Sequence, residues 1–262
     1  MGILNVTPDS FSDGGAYNTL EKAMQRAEQM INEGADIIDV GGESTRPGSI
    51  PVAIEEELQR TIPIIRALRA RFPSTRISID TRHSEVAKQA LQAGADIVND
   101  IEGLGNPTMR KVCAEHPCGI ILMHMQGSPA TMQENPDYRN VVEEVRSFFE
   151  NRLKLATSEG ISADRICLDP GIGFGKTCEH NLVLIRHLSA LRVQELPLMM
   201  ALSRKRFMGE LLNDPCAAKE SPLPTVALSL LSAENGADLH RVHDVAPLFQ
   251  ALTLRQAVKG TE

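Results

Sequence analysis

A chain of 262 residues, 42% hydrophobic and 23% charged, has the balance of an ordinary globular protein and is long enough to bury a large core. Its net charge of -7 argues against the basic face that nucleic-acid binding needs, and no apolar run approaches a membrane span. A small anionic ligand stays compatible, because a few local cations overrule the overall sign.

Short apolar runs alternate with helical patterns along the whole chain. The predicted strands are Gly2–Val6, Asp36–Val40, Arg76–Ile79, Asp96–Asn99, Gly119–Met123, Arg165–Leu168, Leu198–Leu202 and Asp238–Val242, each followed by an amphipathic segment. Near-continuous apolar strands between helices imply a parallel sheet, and eight such units in this length predict an α/β fold, a closed (β/α)8 TIM barrel with a parallel eight-stranded barrel. Asn18 is expected to cap the first helix, with Glu21 as its capping-box partner. Gly34-Ala35-Asp36, Gly94-Ala95-Asp96 and Gly236-Ala237-Asp238 repeat one helix-to-strand joint, in which glycine supplies the left-handed helix end. The stretch Asp214–Pro224 reads as a loop, and no composition shift divides the chain, so residues 1–262 are expected to form one domain. The five cysteines (Cys113, Cys118, Cys167, Cys178 and Cys216) form no CxxC pair and are odd in number, which predicts reduced thiols in a cytoplasmic protein. Met1–Val6 has no basic region before an apolar one, so no signal peptide is expected.

Active-site groups of such barrels sit at the C-terminal ends of the strands. Those ends carry Asn5 and Thr7, then Gly41–Gly48, Asp80, Asn99-Asp100, His124, Asp169, Ser203-Arg204-Lys205, and Arg241 with His243. A purely structural barrel has no need of a polar group at nearly every one of these positions. Gly171–Thr177 resembles a phosphate-binding P-loop, but Pro170 stands where its first glycine belongs, so it reads as a glycine-rich loop whose backbone approaches a ligand. His116, His124, His180 and His187 lack metal-ligand spacing. Arg69 and Arg71 read as a solvated helix face, and Phe148 and Phe149 as core. Phe11 and Phe174 differ: in a chain with 3% aromatics they lie in glycine-rich loops, placed to stack on a flat ligand.

Two carboxylates (Asp80, Asp169), an amide (Asn99) and a lysine (Lys205) suit a planar heterocycle rich in donors and acceptors. Arg241 and His243 suit a phosphate, as does Arg46, and Asn5 offers an oxygen to Mg²⁺. The residues alone therefore point to a flat heterocycle with an anionic leaving group, and do not name it.

Several segments resemble the dihydropteroate synthase family, in family order: Met1–Gly15, Gly41–Gly48, His124–Pro129 with Thr131–Gln133, Asp169–Lys176, Ser203–Lys205 and Arg241–Val245. The resemblance implies condensation of 6-hydroxymethyl-7,8-dihydropterin pyrophosphate with p-aminobenzoate, giving 7,8-dihydropteroate and pyrophosphate by an SN1-like route. It implies that Asp80, Asn99, Asp169 and Lys205 hold the pterin, and that Asn5 binds Mg²⁺. Asn5, Arg46, Arg241 and His243 are the implied pyrophosphate set, and Asp13 is implied to steady the pterin cation. Phe11, Thr45, Arg46, Pro47, Phe174 and Ser203 are implied to shape the p-aminobenzoate site, helped by the N-terminus of the helix after Ser203. A homodimer is implied as well. Relatives usually carry a short segment before the first barrel strand, more often have Gly followed by Ser or Thr near Pro224-Thr225, and seldom have Arg206-Phe207 after the lysine. The competing readings are a pterin-dependent methyltransferase, which needs neither the phosphate cations nor the Ser-Thr-Arg-Pro-Gly loop, and a non-catalytic pterin-binding module, which would have lost Asn5 or Arg241.

Overall fold

The structure is a computed structural model that describes residues 1–6, 16–44, 51–129 and 131–260. Its strands are β1 (Gly2–Asn5), β2 (Ile37–Gly41), β3 (Arg76–Asp80), β4 (Ile97–Asp100), β5 (Gly119–Met123), β6 (Ile166–Asp169), β7 (Met199–Met200) and β8 (Leu239–His240). β1 to β6 pair in parallel in chain order, and β7 pairs with β8. Parallel bridges Leu168–Leu198 and Gly2–Val242 close the ring, and Ile3 N–H donates to the Val242 carbonyl at 2.9 Å. The eight-stranded barrel expected from the alternation is therefore present. β7 and β8 are shorter than expected, because each meets its outer neighbour through a single bridge rather than a ladder.

The helices are α1 (Ala16–Asn32), α2 (Ile54–Arg71), α3 (Ser84–Ala93), α4 (Pro107–Glu115), α5 (Val141–Ser158), α6 (Cys178–Arg186), α7 (Arg206–Leu212), α8 (Ala217–Glu220), α9 (Leu223–Glu234) and α10 (Val245–Lys259). Local signals set many of their ends. Asn106 and Asn140 accept from the first-turn amides of α4 and α5, and Thr177 with His180 forms a reciprocal capping box on α6. α2 opens on Glu55, Glu56 and Glu57 and ends with Arg69 and Arg71, which complements its dipole. Two expectations are corrected. α1 starts at Ala16, so Asn18 lies inside the helix and not at its cap. The stretch Asp214–Pro224 is not all loop: it holds the single turn α8, and Pro224 falls in the first turn of α9, where a missing N–H costs nothing.

The repeated joint is a hydrogen-bonded unit. Gly34, Gly94 and Gly236 all have φ near +100°. At the second joint, Arg69 donates to the Gly94 carbonyl and to Asp96, whose Oδ2 also accepts from the Ile77 amide at 2.8 Å. At the third, Arg192 donates to the Gly236 carbonyl and to Asp238, whose Oδ2 accepts from the Leu198 amide. Each aspartate thus stitches its own strand to the one before. Arg69 is consequently part of a tertiary joint rather than a solvated face, whereas Arg71 is exposed and paired with Glu28.

Alternation along the strands sorts side chains between two cores. Outward residues such as Ile38, Ile77, Ile79 and Leu122 pack against the helices together with Ile65, Leu68 and Phe149. Inward, a floor of Met1, Ile121 and Met199 packs with Ile37, Ile97, Cys167 and Leu239. One inward step toward the strand C-termini, the row turns polar: Asp39, Asn99, Asp169 and Arg241. Phe149 is fully buried in the outer core, and the half-buried Phe148 packs against it.

Candidate active site

The polar row and the strand ends above it form the mouth of the barrel. Arg241, at the end of β8, is its electrostatic centre. Its Nε donates to Asp39 Oδ2 and its Nη2 to Asp80 Oδ2, both at 2.6 Å. Asp39 is fully buried, and its Oδ2 also accepts from Asn99 Nδ2 at 3.3 Å. Burial opposes the charge on Arg241, but Asp39 and Asp80 outweigh it and hold the pKa above its ordinary value. Burial pushes the Asp80 carboxyl up to about 7; Arg241 pulls it down, while Asp39, Glu57 and Asp100 push it further up. Asp80 thus sits where its charge depends on its partners.

On the far wall, β6 ends in Asp169, which is buried and accepts from the Gly171 amide at 2.8 Å. Burial raises its pKa against that bond and the nearby Lys205, Arg241 and Lys176. Gly171 has φ of +65°, and a Cβ there would lie 1.9 Å from the His124 carbonyl oxygen. At Gly175 the close neighbour is the Gln126 carbonyl. These two glycines are required where the loop packs on the backbone after β5. Lys176 turns inward and ties the loop down: Nζ meets His124 Nδ1 at 2.9 Å and donates to the carbonyls of Phe174 and Gly171. Burial lowers Lys176 to about 7 and, with Lys176 beside it, lowers His124 to about 2, so His124 is a neutral partner. The loop so held places the Phe174 ring 4.3 Å beneath Lys205 Nζ, within cation–π range.

At the seam between β8 and β1, Ser203 Oγ contacts His243 Nδ1 at 2.9 Å and accepts from the His243 amide, while His243 Nε2 lies 3.5 Å from Asn5 Nδ2. With its amide nitrogen toward His243, Asn5 has its oxygen near Gly41 and Asp80. Arg204, with φ of +57°, instead reaches Asp244 and clasps the loops after β7 and β8. Asp100 points away from the mouth and caps the turn after β4 through the Glu102 and Leu104 amides.

Among the expected site residues, Asn5, Asp80, Asn99, Asp169, Phe174, Ser203, Lys205, Arg241 and His243 therefore stand at one end of one barrel. Phe11, Asp13, Thr45, Arg46 and Pro47 lie outside the described residues. Sequence reasoning missed Asp39 and the loop-tying role of Lys176. A charged residue inside the apolar run Ile37–Val40 was the available signal for Asp39, since a buried strand rarely carries an uncompensated carboxylate. No group of three or more His, Cys, Asp or Glu placed to hold a metal occurs among the described residues.

A family model described as pterin binding enzyme matches residues 1–243. The dihydropteroate synthase of Synechocystis sp. is 49% identical over 259 residues, 98% of this chain and 89% of that protein. Among solved structures, the dihydropteroate synthase of Xanthomonas albilineans with 4-aminobenzoic acid superposes with a TM-score of 0.93 at 43% identity, covering 100% of this chain and 93% of that one. The same organism's enzyme in complex with 7,8-dihydropteroate gives 0.90 at 41% identity, covering 100% of this chain and 94% of that one. The chain belongs to the pterin-binding enzyme family and, within it, to the dihydropteroate synthases.

Proposed function

We propose that this chain condenses 6-hydroxymethyl-7,8-dihydropterin pyrophosphate with p-aminobenzoate, releasing pyrophosphate and 7,8-dihydropteroate. The observation that carries the reading is the single mouth in which the carboxylates Asp80 and Asp169, on facing walls, together with Asn99 and Lys205 adjoin the guanidinium of Arg241 and the imidazole of His243. Asp80 and Asp169 accept from the pterin's N–H and amino groups, and Lys205 donates to its carbonyl or ring nitrogen. Arg241 and His243 hold the pyrophosphate, so charge that develops on the leaving group meets fixed partners. Departure first, in an SN1-like step, lets p-aminobenzoate attack as a neutral amine without a strong general base. Phe174 and Ser203 border the p-aminobenzoate side, and Phe11, Thr45, Arg46, Pro47 and Asp13 complete the set on the residues that match the family.

The donor set fits Mg²⁺: Asn5 offers one hard oxygen beside His243 and Arg241, which suits an ion bound chiefly by water and substrate phosphates. When bound, Mg²⁺ would neutralise charge on the leaving group. Residues 1–262 act as one catalytic domain. We place the protein in the cytoplasm; its five cysteines are free, and among the described residues no helix is long and apolar enough to cross a membrane. It acts as a homodimer, a reading supported by the exposed Leu223 and Leu231 on α9 and Phe249 and Leu254 on α10.

The test is formation of dihydropteroate by the purified protein with Mg²⁺, in wild type and in Asp169→Ala. The wild type turns over, and the variant keeps its circular dichroism but loses pterin binding by about tenfold or more. No turnover by the wild type, or unchanged pterin affinity in the variant, refutes the reading.

A further inference from the structure

We infer that Asp39 is a positioning residue for the pyrophosphate-binding arginine: it anchors Arg241 through Nε, so that the guanidinium can exchange Asp80 for substrate without leaving its place. The inference rests on the proposed reaction. That reading asks two things of a pair now joined to each other. Asp80 must accept from the pterin ring, and Arg241 must hold the pyrophosphate, yet Arg241 Nη2 donates to Asp80 Oδ2. Were this the arginine's one tether, binding substrate would release a long side chain with several free torsions just when a fixed cation is needed. Asp39 removes the conflict. It grips the other edge of the guanidinium at Nε, 2.6 Å away, from a fully buried site on β2 that substrate does not have to enter. Among the described residues Nη1 is committed to neither carboxylate.

Asp39 also sets the direction of Asn99. A carboxylate only accepts, so the amide edge that meets Asp39 Oδ2 must be Nδ2, and the amide oxygen is turned from it. Asn99 then presents an acceptor to the ring. The second oxygen of Asp39 has no protein partner among the described residues, although it is buried. A carboxylate kept only to hold the fold would be expected to have both oxygens hydrogen-bonded. Here the one oxygen that is hydrogen-bonded, Oδ2, serves one cation and one amide, both on the reacting side of the barrel.

The test compares wild type, Asp39→Asn, Arg241→Met and the double variant, each checked by circular dichroism. Calorimetry with inorganic pyrophosphate plus Mg²⁺ and steady-state kinetics are the two readouts. Asp39→Asn keeps the shape and removes the charge. It raises the KM for pterin pyrophosphate and the Kd for pyrophosphate about tenfold or more, affects an uncharged pterin less, and leaves the KM for p-aminobenzoate within about twofold. A general loss of structure would move both KM values together. In pyrophosphate affinity the double variant is no worse than Arg241→Met, because Asp39 reaches the pyrophosphate only through that arginine. If Asp39→Asn alone does not fold, the double variant, in which the Asp39 charge is removed together with its cation, is compared with Arg241→Met instead. Unchanged pyrophosphate affinity in Asp39→Asn, or losses of pyrophosphate affinity that multiply in the double variant, overturn the inference while the proposed reaction stands. Absence of turnover by the wild type would overturn the reaction itself.

Discussion

Gly171→Ala separates steric demand from backbone strain at the centre of the site. Two glycines serve the comparison. Gly160, just beyond α5, has φ of +90°, and a Cβ there meets nothing within 4 Å. Gly171 has φ of +65°, and a Cβ there falls 1.9 Å from the His124 carbonyl oxygen. Alanine at either position bears the left-handed penalty of about 1–2 kcal/mol. At Gly171 the carbonyl or the loop must in addition withdraw by about 1 Å to reach even a tight 3.0 Å contact (3.0 minus 1.9). That carbonyl cannot move alone, because the His124 amide is bonded to the Asp169 carbonyl and the His124 ring to Lys176. Overpacking of this kind adds about 1–3 kcal/mol. The expected losses are therefore about 1–2 kcal/mol for Gly160→Ala and 2–5 kcal/mol for Gly171→Ala, read from urea midpoints at constant slope. The functional consequence follows from the Gly171 amide, which donates to Asp169 Oδ1 at 2.8 Å. Displacing it should weaken pterin binding in Gly171→Ala and leave it intact in Gly160→Ala. Equal destabilisation by the two substitutions, or normal pterin affinity in Gly171→Ala, refutes the reasoning.

Lys176 carries a pH dependence. Its folded pKa, lowered by burial to about 7, lies below the ordinary 10.5, so the unfolded chain binds more protons between those values. Its contribution to stability therefore rises with pH across that window, and wild type should gain about 2 kcal/mol on Lys176→Met between pH 7 and 9. Parallel urea midpoints for the two proteins over that range would show that Lys176 stays charged in the fold. Ser203→Ala removes the hydroxyl that meets both the ring and the amide of His243. It should raise the KM for pterin pyrophosphate, through His243, as well as that for p-aminobenzoate, which Ser203 borders, each roughly threefold to tenfold; an unchanged KM for pterin pyrophosphate would show that the hydroxyl does not position His243.

The sequence by itself determined the architecture and most of the row of polar groups at the mouth. Strand periodicity and helix capping are local, so eight apolar runs, the repeated Gly-Ala-Asp joints and the polar strand ends can be read without knowing what touches what. The family resemblance added a pterin and a pyrophosphate to groups that by themselves indicated only a heterocycle and an anion. Tertiary structure decided which group answers which. Arg241 meets Asp39 across 202 positions, Lys176 meets His124 across 52, and Arg69 reaches Asp96 across 27. Such partners are set by closure of the barrel and by the stagger of its strands, which no local pattern encodes. Asp39 illustrates the difference: in the run Ile37–Val40 it is one charge among apolar residues, and only the closed ring brings β8 round to give that charge its arginine.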